Sequence, residues 1–299
     1  MRTIFFVIIV LVITSCGRSK EIYDATGIFE ATEIIVSSEA SGKLMEFNVS
    51  EGQRVSVSQQ LGYIDTIQLY LRKKQLLASV DAVVSRSYDV AKQIAAIKEE
   101  IATMQRERER TERLIEANAA TGKQLDDINS RIAVLEKQLA AQRSTLESGN
   151  TSIARESSAL EIQVAQIDDQ LLKSKITSPI DGTVLVKYAE KGELTAVGKP
   201  LFKVADTNEM ILRAYITAQQ LTQLKIGQSV AVYSDYGDAD TRRYDGIVTW
   251  ISDKSEFTPK TIQTPDERVN LVYAIKIAVK NDGLLKIGMY GDIQLKMEN

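Results

Sequence analysis

Ser41-Gly42-Lys43-Leu44-Met45 opens a pattern that the chain repeats at Asp181-Gly182-Thr183-Val184-Leu185. Glu51-Gly52 returns as Lys191-Gly192, and Leu61, Tyr63 and Ile64 return as Leu201, Lys203 and Val204. Every pair is 140 residues apart in a chain of 299. The shared frame is glycine, ten residues to glycine, nine residues to leucine. A fixed internal offset marks a structural unit used twice. Gly52 and Gly192 each follow a charged residue, where a chain reverses. Gly42 and Gly182 are read as turn glycines of the same frame. Val55-x-Val57 and the alternation around Leu61 and Ile64 have a period near two, the mark of short strands. Pro179 ends whatever helix precedes the second copy.

The two copies are held apart by residues 66–174, which contain no proline. One stripe of 3-4 spacing runs through Leu69, Leu76, Val80, Val83, Val90, Ile94, Ile97, Ile101, Met104 and Ile115, with polar Lys73, Ser87, Arg108 and Thr111 on the same line. A second runs through Leu125, Ile128, Ile132, Leu135, Leu139, Leu146, Ile153 and Leu160, then shifts phase to Val164, Ile167 and Leu171. Spacing this close to a strict heptad predicts coiled-coil packing, and the shift resembles a stutter. Asn118-Ala119-Ala120-Thr121-Gly122 separates two arms of equal length, so they form an antiparallel hairpin. At 1.5 Å per residue each arm is roughly 75–80 Å long. Gly149-Asn150 predicts a kink in an otherwise continuous second arm.

From about residue 208 the chain reads as short strands at 211–216, 229–233, 246–251, 272–279 and 291–295, with one short helix at 218–224. Such strands within about 90 residues predict a small barrel. Trp250, the single tryptophan, is read as a core residue of its strand.

Several chemistries are excluded. There is no histidine, so the commonest general base and metal ligand are both absent. A single cysteine allows neither an intrachain disulfide nor a thiolate zinc site. A net charge of −3 lacks the basic footprint of a nucleic-acid binder. Gly192 to Pro200 has five residues between its glycines and a proline where a phosphate loop needs Ser or Thr, so it is a β-turn. Asp235, Asp238 and Asp240 are read as a solvated hairpin tip rather than a calcium site. No enzyme, cofactor or metal is expected.

The N-terminus reads as a targeting segment. Arg2 precedes an apolar run, Ile4 to Ile13, too short to span a bilayer but suited to a signal peptide. The run ends in Ile13-Thr14-Ser15-Cys16-Gly17, which resembles a bacterial lipobox. Cleavage before Cys16 would expose it for lipidation and leave the chain anchored to the membrane rather than spanning it.

Each copy of the repeat resembles half of a biotinyl/lipoyl domain. The lysine between two methionines that such carriers modify is missing, and over a hundred residues replace its hairpin. The fold is therefore kept and the carrier function dropped. Phe257-Thr258-Pro259 through Tyr273, Leu285-Lys286-Ile287-Gly288-Met289 and Gly27-Ile28-Phe29-Glu30 resemble HlyD-like membrane fusion proteins. Arg110-x3-Leu114-x6-Thr121, followed by Asp126, resembles the tip pattern with which these adaptors dock onto an outer-membrane channel, with Thr in place of Ser.

The resemblance implies a mixed α+β chain: a split biotinyl/lipoyl-like β domain with a long antiparallel α-helical coiled-coil hairpin inserted, followed by a small β-barrel domain. The expected parts are a lipoprotein signal peptide (1–15), a linker and first strand (16–33), the first lipoyl-like half (34–65), the hairpin (66–174, tip near 118–122), the second half (175–206) and the barrel (207–299). It further implies a periplasmic adaptor, lipid-anchored through Cys16 to the inner membrane of a Gram-negative bacterium. Its expected partners are an inner-membrane exporter, ABC-type on the strength of 257–273, a TolC-type outer-membrane channel, and other copies of itself in a ring, hexameric by resemblance. The alternatives are an adaptor of a proton-driven, RND-type pump and a structural envelope coiled-coil lipoprotein. Intact mass of the chain purified from membranes is expected to show a diacyl or triacyl modification that disappears in Cys16→Ser, with no adduct on any lysine.

Overall fold

The structure is a computed structural model and describes residues 23–236, 241–256 and 271–295. Cys16, Asp238, Asp240 and residues 257–270 lie outside the described residues.

The repeat folds as a sandwich whose sheets each borrow from both copies. The first copy supplies β1 (Ala25–Ser37), β2 (Gly42–Phe47), β3 (Arg54–Val55) and β4 (Gln60–Ile64). The second supplies β5 (Lys175–Thr177), β6 (Gly182–Lys187), β7 (Leu194–Thr195) and β8 (Pro200–Thr217). One sheet runs β5-β4-β2-β7, and the end of the other runs β1-β8-β6-β3. Each copy thus lends its outer strands to the other's sheet. The linking hydrogen bonds come in pairs 140 residues apart. Gly52 N–H donates to Val184 O and Gly192 N–H to Leu44 O, both at 2.8 Å. Leu44 N–H donates to Glu193 O and Val184 N–H to Gln53 O, both at 2.9 Å. Ser58 N–H donates to Ser178 O and Gly198 N–H to Ser38 O, both at 2.8 Å.

Gly52 and Gly192 occupy the left-handed region, with φ of 83° and 94°, as the turn reading required. Gly42 and Gly182 instead open strands. A Cβ on Gly182 would lie 2.3 Å from the Ala205 carbonyl oxygen, so this glycine serves close strand packing. Leu44, Phe47, Leu61, Ile64, Val184, Leu201, Phe202 and Val204 fill the space between the sheets. Val57 departs from the expected alternation: Val55 is buried, but Val57 is exposed. It lies beyond β3 in a turn, where its N–H donates to Asp181 Oδ1 at 2.9 Å.

β1 and β8 run on past the sandwich into a barrel. There they are joined by β9 (Ser229–Asp235), β10 (Thr241–Glu256), β11 (Val272–Lys280) and β12 (Tyr290–Gln294). The order β1-β12-β9-β10-β11-β8 closes because β1 also pairs with β8. Phe29, Leu212, Val232, Val248, Ile275, Ile277 and Ile293 are among the side chains that fill it. Trp250 is not among them. It is 40% exposed, with Lys276 Nζ 5.5 Å from its ring. The pairing of β10 with β11 shifts register between Val248 and Trp250, and this bulge turns the ring outward.

The hairpin leaves from adjacent strand ends. β4 pairs antiparallel with β5, and Ile64 N–H donates to Ser174 O at 2.9 Å. Its helices are α1 (Ile67–Val84), α2 (Val90–Glu116) and α3 (Gly122–Lys173); a short α4 (Ala218–Leu221) follows β8. One expectation changes here. The first arm is not continuous, because Ser85–Asp89 separates α1 from α2, with Asp89 Oδ1 capping α2 through Lys92 N–H at 3.2 Å. The second arm is continuous over 52 residues, Gly149-Asn150 included, as expected. Among the described residues no helix is long and apolar enough to cross a membrane.

Gly182→Ala is expected to cost about 2–3 kcal/mol in urea denaturation, because a backbone carbonyl must move. Gly122→Ala, with open space around its Cβ position, should stay within about 0.5 kcal/mol of the parent.

Candidate functional site: the hairpin tip

The tip is built by a helix end, a left-handed residue and a helix start. α2 ends at Glu116. Asn118, at φ 56°, reverses the chain, and its N–H donates to Ile115 O at 2.9 Å. Ala119 N–H then reaches back to Leu114 O at 2.7 Å. These bonds satisfy carbonyls that the end of a helix leaves open. On the far side Thr121 caps α3: its N–H donates to Gln124 Oε1 at 2.9 Å and its hydroxyl to the same oxygen at 3.2 Å. The sequence carries the signal for this cap, since Thr121-Gly122-Lys123-Gln124 has the spacing of a capping box.

Of the four residues singled out for docking, Arg110 and Leu114 are four apart on α2 and share a face. Leu114 is 39% exposed. Arg110 is exposed, with its guanidinium 3.7 Å from Glu107 Oε2. Thr121 stands across the turn rather than on the α2 stripe, and its hydroxyl is engaged in the cap. Asp126 is exposed on the second turn of α3. Among the described residues neither Asp126 nor Thr121 pairs with Arg110. The result is a capped end that presents one apolar and several charged groups to solvent.

Behind the tip the hairpin interior is partly polar. Thr111 is buried, and the half-buried Arg108 has its Nε without a hydrogen-bond partner. Arg131 reaches across to Glu100 at 2.8 Å and, at the base, Lys73 reaches Asp168 at 2.6 Å. These pairs help fix the register of the arms, and with their side chains a third to a half open to solvent they contribute at most about 1 kcal/mol each. Among the described residues no cluster of His, Cys, Asp or Glu is placed to hold a metal. The Gly192–Pro200 stretch is two turns flanking the short strand β7, with Lys199 Nζ tied to Glu193 at 3.2 Å.

The fold is a sandwich split by a long helical hairpin and joined to a closed barrel. Residues 32–207 match the family described as "RND MFP, barrel-sandwich hybrid domain", and the chain belongs to that membrane fusion protein family. The family is non-enzymatic, periplasmic and adaptor in kind; it works with inner-membrane transporters and outer-membrane channels, generally as oligomers. The chain is 28% identical over 285 residues to a UPF0194 membrane protein of Citrobacter koseri, covering 88% of this chain and 85% of that one. Its fold resembles MacA from Actinobacillus actinomycetemcomitans, with a TM-score of 0.52 at 22% identity, over 91% of this chain and 78% of that one. It also resembles the membrane fusion protein Spr0693 from Streptococcus pneumoniae R6, with a TM-score of 0.52 at 20% identity, over 92% and 98% of the two chains.

Thr121→Ala is expected to speed hydrogen exchange at the first turn of α3 about fivefold, the equivalent of about 1 kcal/mol of lost capping. Thr121→Ser should exchange like the parent.

Proposed function

We propose that this chain is a periplasmic adaptor, held to the inner membrane by lipid on Cys16, that links an ABC-type exporter to a TolC-type outer-membrane channel for export of small molecules. The observation that carries the reading is the capped, exposed tip at the end of a hairpin clamped between two paired strands. Such an end is anchored at its base and offers Leu114 and Arg110 to a partner. Copies of the chain assemble in a ring, with a hairpin from each reaching the channel. The ABC-type partner is supported by the likeness of 257–273 to adaptors that sit beside such exporters. A second reading, an adaptor of an RND-type pump, is favoured by the description of the family matched over 32–207.

The test is in-cell crosslinking from a photo-reactive residue at position 114. An outer-membrane channel captured there, and lost in Arg110→Asp, is the expected outcome. Adducts confined to other copies of this chain, or none, would overturn the docking assignment. Co-purification of an ATP-hydrolysing membrane partner is expected under the first reading, and of a proton-driven one under the second.

A further inference from the structure

Two weak points face each other at one level of the hairpin. On one arm Ser85–Asp89 interrupts the helix. On the other, at the same level, α3 carries Gly149-Asn150. Glycine is the poorest helix former after proline, and asparagine is among the weaker ones. α3 is therefore held least well by its own backbone where the opposite arm has no helix.

One side chain joins the two. Asn150 Oδ1 accepts the Tyr88 N–H at 2.8 Å, and Asn150 Nδ2 donates to Tyr88 O at 2.9 Å. Both main-chain polar groups of a residue in the break are thus paired by the one side-chain type of that length with a donor and an acceptor. The Tyr88 ring lies against Gly149, where a Cβ would sit 2.9 Å from Tyr88 Cε2. A methyl group at 149 would push this exposed ring aside.

We propose that Asn150 is a positioning residue that closes an elbow in the hairpin and so sets the angle at which the tip is presented. α1 with residues 151–173 forms the part fixed to the sandwich. α2 with residues 122–148 forms the part that carries the tip. α2 is 27 residues long, so the tip stands about 40 Å beyond the elbow, and a 20° bend displaces it by about 14 Å. The inference goes beyond the docking reading, because its readout is the geometry of the hairpin whatever the tip meets.

Spin labels at Gln75→Cys and Glu109→Cys bracket the elbow in the full chain with Cys16→Ser, which has no other thiol. A pair at Ala95→Cys and Glu109→Cys lies within α2 as a control. Pulsed electron resonance distances across the elbow are expected to be narrow in the parent. Their distribution should about double in width in Asn150→Ala and broaden less in Asn150→Asp, which keeps the acceptor and loses the donor. Gly149→Ala should shift the mean distance by displacing the Tyr88 ring. Equal width and mean in the parent and Asn150→Ala would overturn the proposal. Broadening of the control pair to the same degree would also overturn it, because the helix itself would then be failing and not the elbow.

Discussion

Strand exchange between the two halves of the sandwich is the constraint on which the rest of the molecule depends. Neither half has a complete sheet. The outer strands β3 and β7 are too short to stand alone, and each pairs with the other copy. Hydrogen bonds from Gly52 to Val184 and from Gly192 to Leu44 tie main chain to main chain across the repeat. Burial of Leu44, Leu61, Val184 and Leu201 between the sheets stabilises the pairing, at roughly 1.5–3 kcal/mol for each large aliphatic side chain. Because β4 and β5 are neighbours in one sheet, the chain must leave and re-enter the sandwich side by side. An insertion at that point has to be a hairpin, and its direction is inherited from the strands.

The hairpin itself has little interior. Two helices can bury one stripe, and even that stripe includes Thr111, Ser157, Arg108 and Lys73. Exposed ion pairs add modest energy and some register. Its stability is therefore spread along the length, and polar contacts such as Asn150 with Tyr88 act locally where packing is thin. The barrel is the opposite case, with a closed ladder and a dense aliphatic core.

Legibility in the sequence followed the same division. The repeat was visible because Gly52 and Gly192 sit at backbone angles that few other residues adopt, so the frame shows through unlike side chains. The barrel strands were visible because alternation survives wherever one face is buried. The break at Ser85–Asp89 was hidden because the stripe keeps its phase from Val83 to Val90, seven residues on. Only the polar run Ser85, Ser87 and Asp89 marked it. Gly149-Asn150 was noticed but assigned to its own helix, since its partner lies 62 residues away in sequence. Trp250 and Val57 were misplaced because a bulge and a turn reset which face a residue takes, and periodicity alone carries no such information. At the tip, Arg110 and Leu114 follow from helical spacing, whereas the engagement of the Thr121 hydroxyl by Gln124 depends on where α3 starts.

The split sandwich also imposes an order in time. Its first half is complete at Ile64, but the strands that pair with it begin at Lys175, about 110 residues later. At a synthesis rate of roughly 5–20 residues per second, those residues take about 6–20 s to appear. Closing so long a loop costs little more entropy than closing a short one, but contacts between distant segments form slowly. Until then β2 and β4 present open edges, the kind of surface that invites pairing with the wrong chain. A chain that stays open until the helices have emerged closes the sandwich without exposing those edges.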